Sequence, residues 1–120
     1  MRKPGFTVSG SMFDKNGGLY FSNSASKSCG YSSIRNGIWA NGNDKKAYLF
    51  LSDVCLGKSE ITYSSYPYTL DKIKPNMSVW AKAGKSLYND EYIVYTEQQN
   101  WLRYVVEFES IGKWNYLNQN

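Results

Sequence analysis

The chain has 120 residues, of which 42% are hydrophobic and 17% aromatic, and its formal net charge is +4. This length fits one domain with a modest core, and the apolar content excludes an intrinsically disordered chain. The absence of histidine excludes Ser-His and Cys-His catalytic relays within the chain and removes the commonest zinc ligand. No signal peptide or bilayer-length apolar run is visible, so we expect an intracellular protein, cytoplasmic or nuclear, with no membrane partner.

Charge and cysteine content give weaker indications. Up to Asn89 the chain has 12 Lys/Arg and 5 Asp/Glu, whereas from Asp90 onward it has 2 and 5. A basic first part suits an anionic ligand such as a dinucleotide or nucleic acid, although a solvated lysine-rich surface explains the charge by itself more simply. Cys29 and Cys55 are expected to be reduced, partly buried thiols, since no secretory signal accompanies them.

In chain order, the first predicted elements are a short strand, a short helix and a long strand. Leu19–Phe21 is a brief β-rich run after a glycine-rich turn. Serines ahead of Ser26–Cys29 are candidate N-caps for a short helix that Gly30 helps to end. Lys46–Val54 is almost continuously apolar, which is typical of a strand buried on both faces.

The rest of the chain reads mainly as strand and loop. Strands are predicted at Glu60–Tyr63, Ser78–Trp80 and Glu91–Thr96. In the last strand, alternate residues face opposite sides: Leu102, Tyr104, Val106 and Phe108 on one, and Arg103, Val105, Glu107 and Glu109 on the other. The residues after Ile111 are predicted to form a frayed tail. The fold class expected from these patterns is mainly β with short helices.

Three separated motifs stand out. They are Gly18-Leu19-Tyr20-Phe21 followed by Ser26-Lys27-Ser28-Cys29-Gly30-Tyr31, then Asp53-Val54-Cys55-Leu56-Gly57, and finally Asn89-Asp90-Glu91-Tyr92-Ile93-Val94-Tyr95. Together they resemble the catalytic domain of poly(ADP-ribose) polymerases, within the ADP-ribosyltransferase superfamily. Each motif alone is weak, but three in order with a core strand between them are specific. The resemblance spans about residues 8–108, and Asp90 is an extra acidic residue relative to the family's Asn-Glu-Tyr strand.

The resemblance implies an α+β fold with the split mixed sheet of ADP-ribosyltransferases, lacking the N-terminal strands of that domain. Residues 1–110 would be a partial catalytic domain and 111–120 a C-terminal tail. The implied activity transfers ADP-ribose from NAD to an acceptor protein or nucleic acid and releases nicotinamide. Such a reaction passes through an oxocarbenium-like ribose, so the site must orient the leaving group and stabilise positive charge at the anomeric carbon.

The family's functional residues map onto this sequence as follows. Glu91 matches the catalytic glutamate, which binds the nicotinamide-ribose 2′-hydroxyl and helps to activate the acceptor. Tyr31 matches the tyrosine that stacks on nicotinamide, and Ser28 the serine that bonds its carboxamide. Tyr20 would flank the same ring, and Lys27 would sit beside Glu91 and supply positive charge close to the site.

One departure from the family matters. The family's histidine on an early strand, which binds the adenosine ribose and the carboxamide, has no counterpart here. Residues 8–13 resemble the end of the family's donor loop, and Arg2 is a candidate NAD-binding arginine of that loop. We therefore expect a truncated domain, a fragment from an internal start, or half of a split enzyme whose partner is a separate N-terminal half.

Other interpretations remain open at this stage. The same half-pocket fits a non-catalytic module that binds NAD, ADP-ribose or a partner. An unrelated aromatic-rich β module that binds carbohydrate or single-stranded nucleic acid is a third interpretation; its candidate residues are Trp39, Trp80, Trp101 and Trp114. Each site residue also has an ordinary explanation: Glu91 solvated at a strand start, Lys27 solvent-exposed, Ser28 a helix cap, and Tyr20 and Tyr31 packing residues.

Overall fold

A computed structural model describes residues 18–34, 42, 44–63 and 77–110. This part of the chain forms six strands, one α-helix and one 3₁₀ turn. The elements are β1 (Leu19–Phe21), α1 (Ala25–Cys29), β2 (Lys46–Val54), β3 (Ser59–Thr62), β4 (Ser78–Ala81), β5 (Glu91–Val94), the 3₁₀ turn Glu97–Gln99 and β6 (Asn100–Glu109). The predicted mainly β character is confirmed, and each predicted strand is present with bounds that differ by at most two residues.

A mixed four-stranded sheet contains the buried core. Its strand order is β1-β5-β4-β3, with β3 and β4 parallel and the other neighbours antiparallel. Val79 pairs with Ile93 and Ala81 lies two residues further along the same face, so the three side chains form one fully buried cluster. Gly18 packs against this cluster, since a Cβ there would lie 2.6 Å from Ile93 Cγ2. A larger residue at position 18 would therefore displace β1 from β5.

The second sheet is a two-stranded antiparallel ribbon of β2 and β6, called the ribbon below. Its register runs from Lys46 opposite Glu109 to Val54 opposite Asn100, with a shift between Leu51 and Ser52. The prediction that Lys46–Val54 is buried on both faces is wrong, because in the described part of the chain β2 pairs with β6 alone and only Ala47 is buried. A continuous apolar run signals hydrophobicity, but burial also needs layers on both sides.

Gln99 joins the two sheets. Its side-chain Oε1 accepts hydrogen bonds from the backbone N–H of Tyr95 and of Thr96 at 3.3 Å each, and from Thr96 Oγ1 at 3.0 Å. Its Nε2 donates to the carbonyls of Cys55 at 3.1 Å and Met77 at 3.0 Å. Gln99 is buried, and it ties the end of β5 to the start of β4 and to the segment after β2.

One sequence prediction needs correction, and others concern residues outside the described part of the chain. Cys29 and Cys55 are both free thiols as predicted, but only Cys29 is half-buried and Cys55 is exposed. Arg2, the 8–13 loop, Trp39, Trp114 and the 111–120 tail lie outside the described residues. In the part of the chain that the structure describes, no helix has the length and apolar character needed to cross a membrane.

Candidate functional site

Helix α1 sets the position of Lys27. Ser24 is the N-cap, and its hydroxyl accepts a hydrogen bond from the Lys27 backbone N–H at 3.4 Å. An oxygen side chain at this position satisfies a helix N–H that has no partner within the helix. The cap is therefore Ser24, and the ordinary explanation of Ser28 as the helix cap is wrong. With five residues, α1 is little more than one turn, so Lys27 sits at a fixed distance from this cap.

Lys27 and Glu91 form an ion pair between α1 and the first residue of β5. Lys27 Nζ lies 2.6 Å from Glu91 Oε1, and the two side chains are only 14% and 11% exposed. The same Nζ donates to the Asn89 carbonyl at 3.2 Å. These contacts correct two ordinary explanations, since Glu91 is not a solvated strand-start carboxylate and Lys27 is not solvent-exposed. Charges this poorly solvated are tolerated because each has its partner.

Tyr31 lies beside this ion pair. The pKa of its hydroxyl is raised above the ordinary value, first by burial and then by the negative charge of Glu91. The residue nevertheless remains 58% exposed. Its backbone N–H donates to the Ser28 carbonyl at 3.1 Å, so the backbone of Tyr31 is fixed relative to the end of α1. Tyr31 thus offers an accessible aromatic face close to a buried carboxylate.

Tyr20 lies on the sheet face that carries Glu91, and Ser28 lies on α1 next to Lys27. Tyr20 pairs with Ile93 across β1 and β5, and Glu91 precedes Ile93 by two residues. Because alternate residues of a strand share a face, Tyr20 and Glu91 lie on one face of the sheet. Tyr20 is 37% exposed. Ser28 is half-buried on α1, one residue after Lys27. The fold therefore places α1 and the β1–β5 pair around one corner.

Asp90 is a structural residue that the sequence motifs did not single out for a role. Its Oδ2 accepts from Trp80 Nε1 at 2.8 Å and its Oδ1 from the Ala83 backbone N–H at 2.9 Å. Those hydrogen bonds, the Ala83 bond first, lower the pKa of the Asp90 carboxyl. Asp90, which immediately precedes Glu91, thereby holds the segment after β4 against the start of β5. The only sequence signal for it was the turn-forming Asn89-Asp90 pair.

Aromatic residues occupy the opposite face of the same strands. Trp80 and Tyr92 are paired in register and stack with ring centroids 5.7 Å apart. Lys82 Nζ lies 4.3 Å from the centroid of the Trp80 ring, a cation–π contact. Burial, followed by the charge of Asp90, raises the pKa of the Tyr92 hydroxyl. Trp80 therefore has neighbours that explain it as a packing residue of this face.

The arrangement around Glu91 has a definite chemical capacity. A carboxylate that is held in place can accept a hydrogen bond from a ligand hydroxyl and stabilise positive charge that develops nearby. The adjacent ammonium of Lys27 and the exposed ring of Tyr31 suit a polar, planar ligand. Within the described ranges, no group of three or more His, Cys, Asp or Glu side chains could hold a metal ion.

Neither a protein-family model nor a curated protein matches this sequence.

Proposed function

We propose that this chain is part of an NAD-dependent ADP-ribosyltransferase domain of the poly(ADP-ribose) polymerase type, and that Glu91 is its catalytic carboxylate. The observation that carries the proposal is the buried Lys27–Glu91 ion pair next to the exposed Tyr31 ring. These three residues come from two of the motifs that define the resemblance. Lys27 and Tyr31 lie 64 and 60 positions before Glu91 in the sequence, and the three meet at one corner of the fold.

The chemistry assigns each residue a role. Glu91 accepts a hydrogen bond from the 2′-hydroxyl of the nicotinamide ribose, and its charge stabilises the oxocarbenium-like ribose. The anomeric C–N bond breaks and its electron pair leaves with nicotinamide. The acceptor nucleophile, which Glu91 helps to activate, then forms a bond to the anomeric carbon and releases its proton to water. Tyr31 and Tyr20 flank the nicotinamide ring, Ser28 bonds its carboxamide, and Lys27 holds Glu91 in position.

These residues do not account for contacts to the adenosine part of NAD. The family's histidine, which contacts the adenosine ribose, has no equivalent in a chain without histidine. Arg2 is proposed to bind NAD on that side. We propose that a separate N-terminal half provides the remaining contacts when the chain acts on an acceptor protein or nucleic acid.

A second candidate function is a non-catalytic module that binds NAD or ADP-ribose through the same corner. One observation favours it: Lys27 Nζ lies 2.6 Å from Glu91 Oε1, so the carboxylate already has a cationic partner before any substrate arrives. A ligand hydroxyl would have to bind to the other oxygen or displace Lys27. The two candidates share the ligand and differ in whether nicotinamide is released.

The experiment is transfer from NAD labelled in the adenine moiety, with nicotinamide release measured in parallel. The chain is tested alone and with the N-terminal half of a poly(ADP-ribose) polymerase catalytic domain. We expect labelled product and stoichiometric nicotinamide in the supplemented sample. Glu91→Gln keeps the size of the side chain but removes its charge. We expect the rate of ADP-ribose transfer to fall at least about a hundredfold, as it does when other preorganised electrostatic groups are removed.

The matched control is Glu97→Gln, an exposed glutamate of the 3₁₀ turn, which should leave transfer unchanged. No transfer in either sample, combined with a higher melting temperature in the presence of NAD, would favour the binding module. If the chain shows no transfer and NAD does not raise its melting temperature, both candidates are refuted.

A further inference from the structure

Asp90 is anchored on one face of the four-stranded sheet. Its carboxylate accepts hydrogen bonds from Trp80 Nε1 at 2.8 Å and from the Ala83 backbone N–H at 2.9 Å, and these two bonds are called the Asp90 clasp below. Trp80 is itself packed in place, because its ring stacks on Tyr92 with centroids 5.7 Å apart and lies 4.3 Å from Lys82 Nζ. The clasp therefore ties the backbone before β5 to a side chain that its neighbours hold.

The Lys27–Glu91 ion pair lies on the opposite face. Ala81 pairs with Glu91 and Trp80 pairs with Tyr92 across β4 and β5. Adjacent residues of a strand point to opposite faces, so Trp80 lies on the face that Glu91 does not use. The clasp and the ion pair therefore hold the start of β5 from its two sides.

Both groups that bind the Lys27 ammonium adjoin Asp90 in the sequence. Lys27 Nζ donates to the Asn89 carbonyl at 3.2 Å and lies 2.6 Å from Glu91 Oε1. An ammonium on a flexible four-carbon stem has no fixed geometry of its own. Its position is therefore set by where its two acceptors are held, and the residue between those acceptors is Asp90.

We propose that Asp90 is a positioning residue for the site: the clasp fixes the Asn89 carbonyl and Glu91, so that Lys27 binds both and the Glu91 carboxylate keeps one orientation. This inference rests on the proposed function, in which Glu91 stabilises the oxocarbenium-like ribose. The family resemblance does not imply it, since Asp90 is the extra residue before the Glu91 strand. A misplacement of about 1 Å can cost about a hundredfold in rate, so loosening the clasp should act on turnover.

The first test measures kcat and KM for NAD, with the full chain supplemented by the N-terminal half of a poly(ADP-ribose) polymerase catalytic domain. Asp90→Asn keeps the size of the side chain but replaces one acceptor oxygen by an amide nitrogen that cannot accept. Trp80→Phe removes the indole N–H and keeps a ring against Tyr92. Each variant loses one bond of the clasp, so kcat should fall about tenfold or more while KM changes by less than about twofold.

The matched control is Asp53→Asn, which changes a carboxylate of the ribbon that is 76% exposed. It should leave both kcat and KM unchanged. A clasp variant that raises KM without lowering kcat would overturn the proposal, because the clasp would then act on NAD binding. Unchanged kcat in both clasp variants would overturn it as well.

The second test requires no transfer, so it separates this inference from the proposed function. The free energies of unfolding in urea are compared for the full chain with Lys27→Met, with Glu91→Gln and with both substitutions. Residues in contact have non-additive effects, so the double variant should lose less than the sum of the two single losses. In the Asp90→Asn background the two losses should add, because the ion pair is no longer held in place.

The same cycle distinguishes positioning from a general effect on stability. A general loss would lower every free energy of unfolding alike and leave the non-additivity intact, as it should remain in the Asp53→Asn background. If Asp90→Asn does not fold, Trp80→Phe takes its place.

Each outcome of the cycle has a definite meaning. Additive losses with the wild-type clasp, or non-additivity that persists without it, would overturn the positioning role even if the chain transfers ADP-ribose. If the wild type shows no transfer but the non-additivity requires Asp90, the proposed function fails and the positioning of the ion pair stands.

Discussion

The four-stranded sheet and the ribbon are built from similar residues but differ sharply in burial. In β4 and β5, Val79, Ile93 and Val94 are 0% exposed. In the ribbon, Val105 and Val106 are 55% and 46% exposed. Valine has the same chemistry in both places. The difference comes from what covers each sheet, since β4 has strands on both sides and β6 pairs only with β2 in the described part of the chain.

The same contrast appears in the ion pairs of the two regions. The side chains of Lys27 and Glu91 are 14% and 11% exposed, whereas those of Arg103 and Asp53 are 53% and 76% exposed. Exposed pairs contribute about 0–1 kcal/mol because water and salt screen them, but breaking a poorly solvated pair leaves an uncompensated charge. The Lys27–Glu91 pair therefore holds Glu91 in position, whereas the Arg103–Asp53 pair of the ribbon adds little stability.

The largest expected effect comes from cutting the link between the two regions at Gln99. Gln99→Ala removes its side-chain hydrogen bonds to four residues, including those to the carbonyls of Cys55 and Met77. We expect the free energy of unfolding to fall by about 3 kcal/mol, because each hydrogen bond contributes about 1 kcal/mol and several are lost together. Urea denaturation measures this change, and Gln98→Ala, at an exposed neighbour, should be nearly neutral.

The next effect compares one substitution in both regions. Val79→Ala should lower the free energy of unfolding by about 2 kcal/mol, because it removes two buried carbons and leaves a cavity. Val105→Ala should change it by less than about 0.5 kcal/mol, as expected for a surface position. Both are measured at a concentration too low for chains to associate. Equal losses would mean that the ribbon is covered within a single chain.

The smallest expected effect concerns pH and Asp90. Its folded-state pKa is lowered by hydrogen bonds from Ala83 and Trp80, so the unfolded chain takes up this proton first as the pH falls. Asp90 therefore contributes its stability above the unfolded pKa of about 3.9, and that stability is lost as the pH falls through the folded pKa. Asp90→Ala should be less stable than wild type at neutral pH, with the difference shrinking in acid.

Thermal unfolding across that pH range checks the Asp90 expectation. Asp53→Ala is the matched variant in the ribbon, where the carboxylate is well exposed and its ion pair with Arg103 contributes little. A pH-independent difference for Asp90→Ala would show that its two hydrogen bonds do not require the ionised carboxylate.

Much of the strand pattern could be predicted from the sequence, because local preferences control it. Leu19–Phe21, Ser78–Ala81 and Glu91–Val94 are short β-rich runs bounded by turn residues, and the strands form there. The meeting of α1 with β5 followed only from the family resemblance. The spacing of Gln99 from Thr96 matches a capping box and is a local signal, but its bonds to Cys55 and Met77 could not be found in this way. Its role arises because three distant segments converge on one side chain.

By itself the sequence determined where strands form and that no histidine is available for chemistry. The predicted alternation along the last strand is wrong at Arg103, which has no register partner in β2 because the register shifts between Leu102 and Tyr104. Only the tertiary structure decided which apolar runs are buried and which charged residues meet. Lys46–Val54 reads as a core strand but lies in an open ribbon, whereas Glu91 reads as a surface residue but is 8% exposed. Burial depends on the layers packed against a strand, and those layers come from distant parts of the chain.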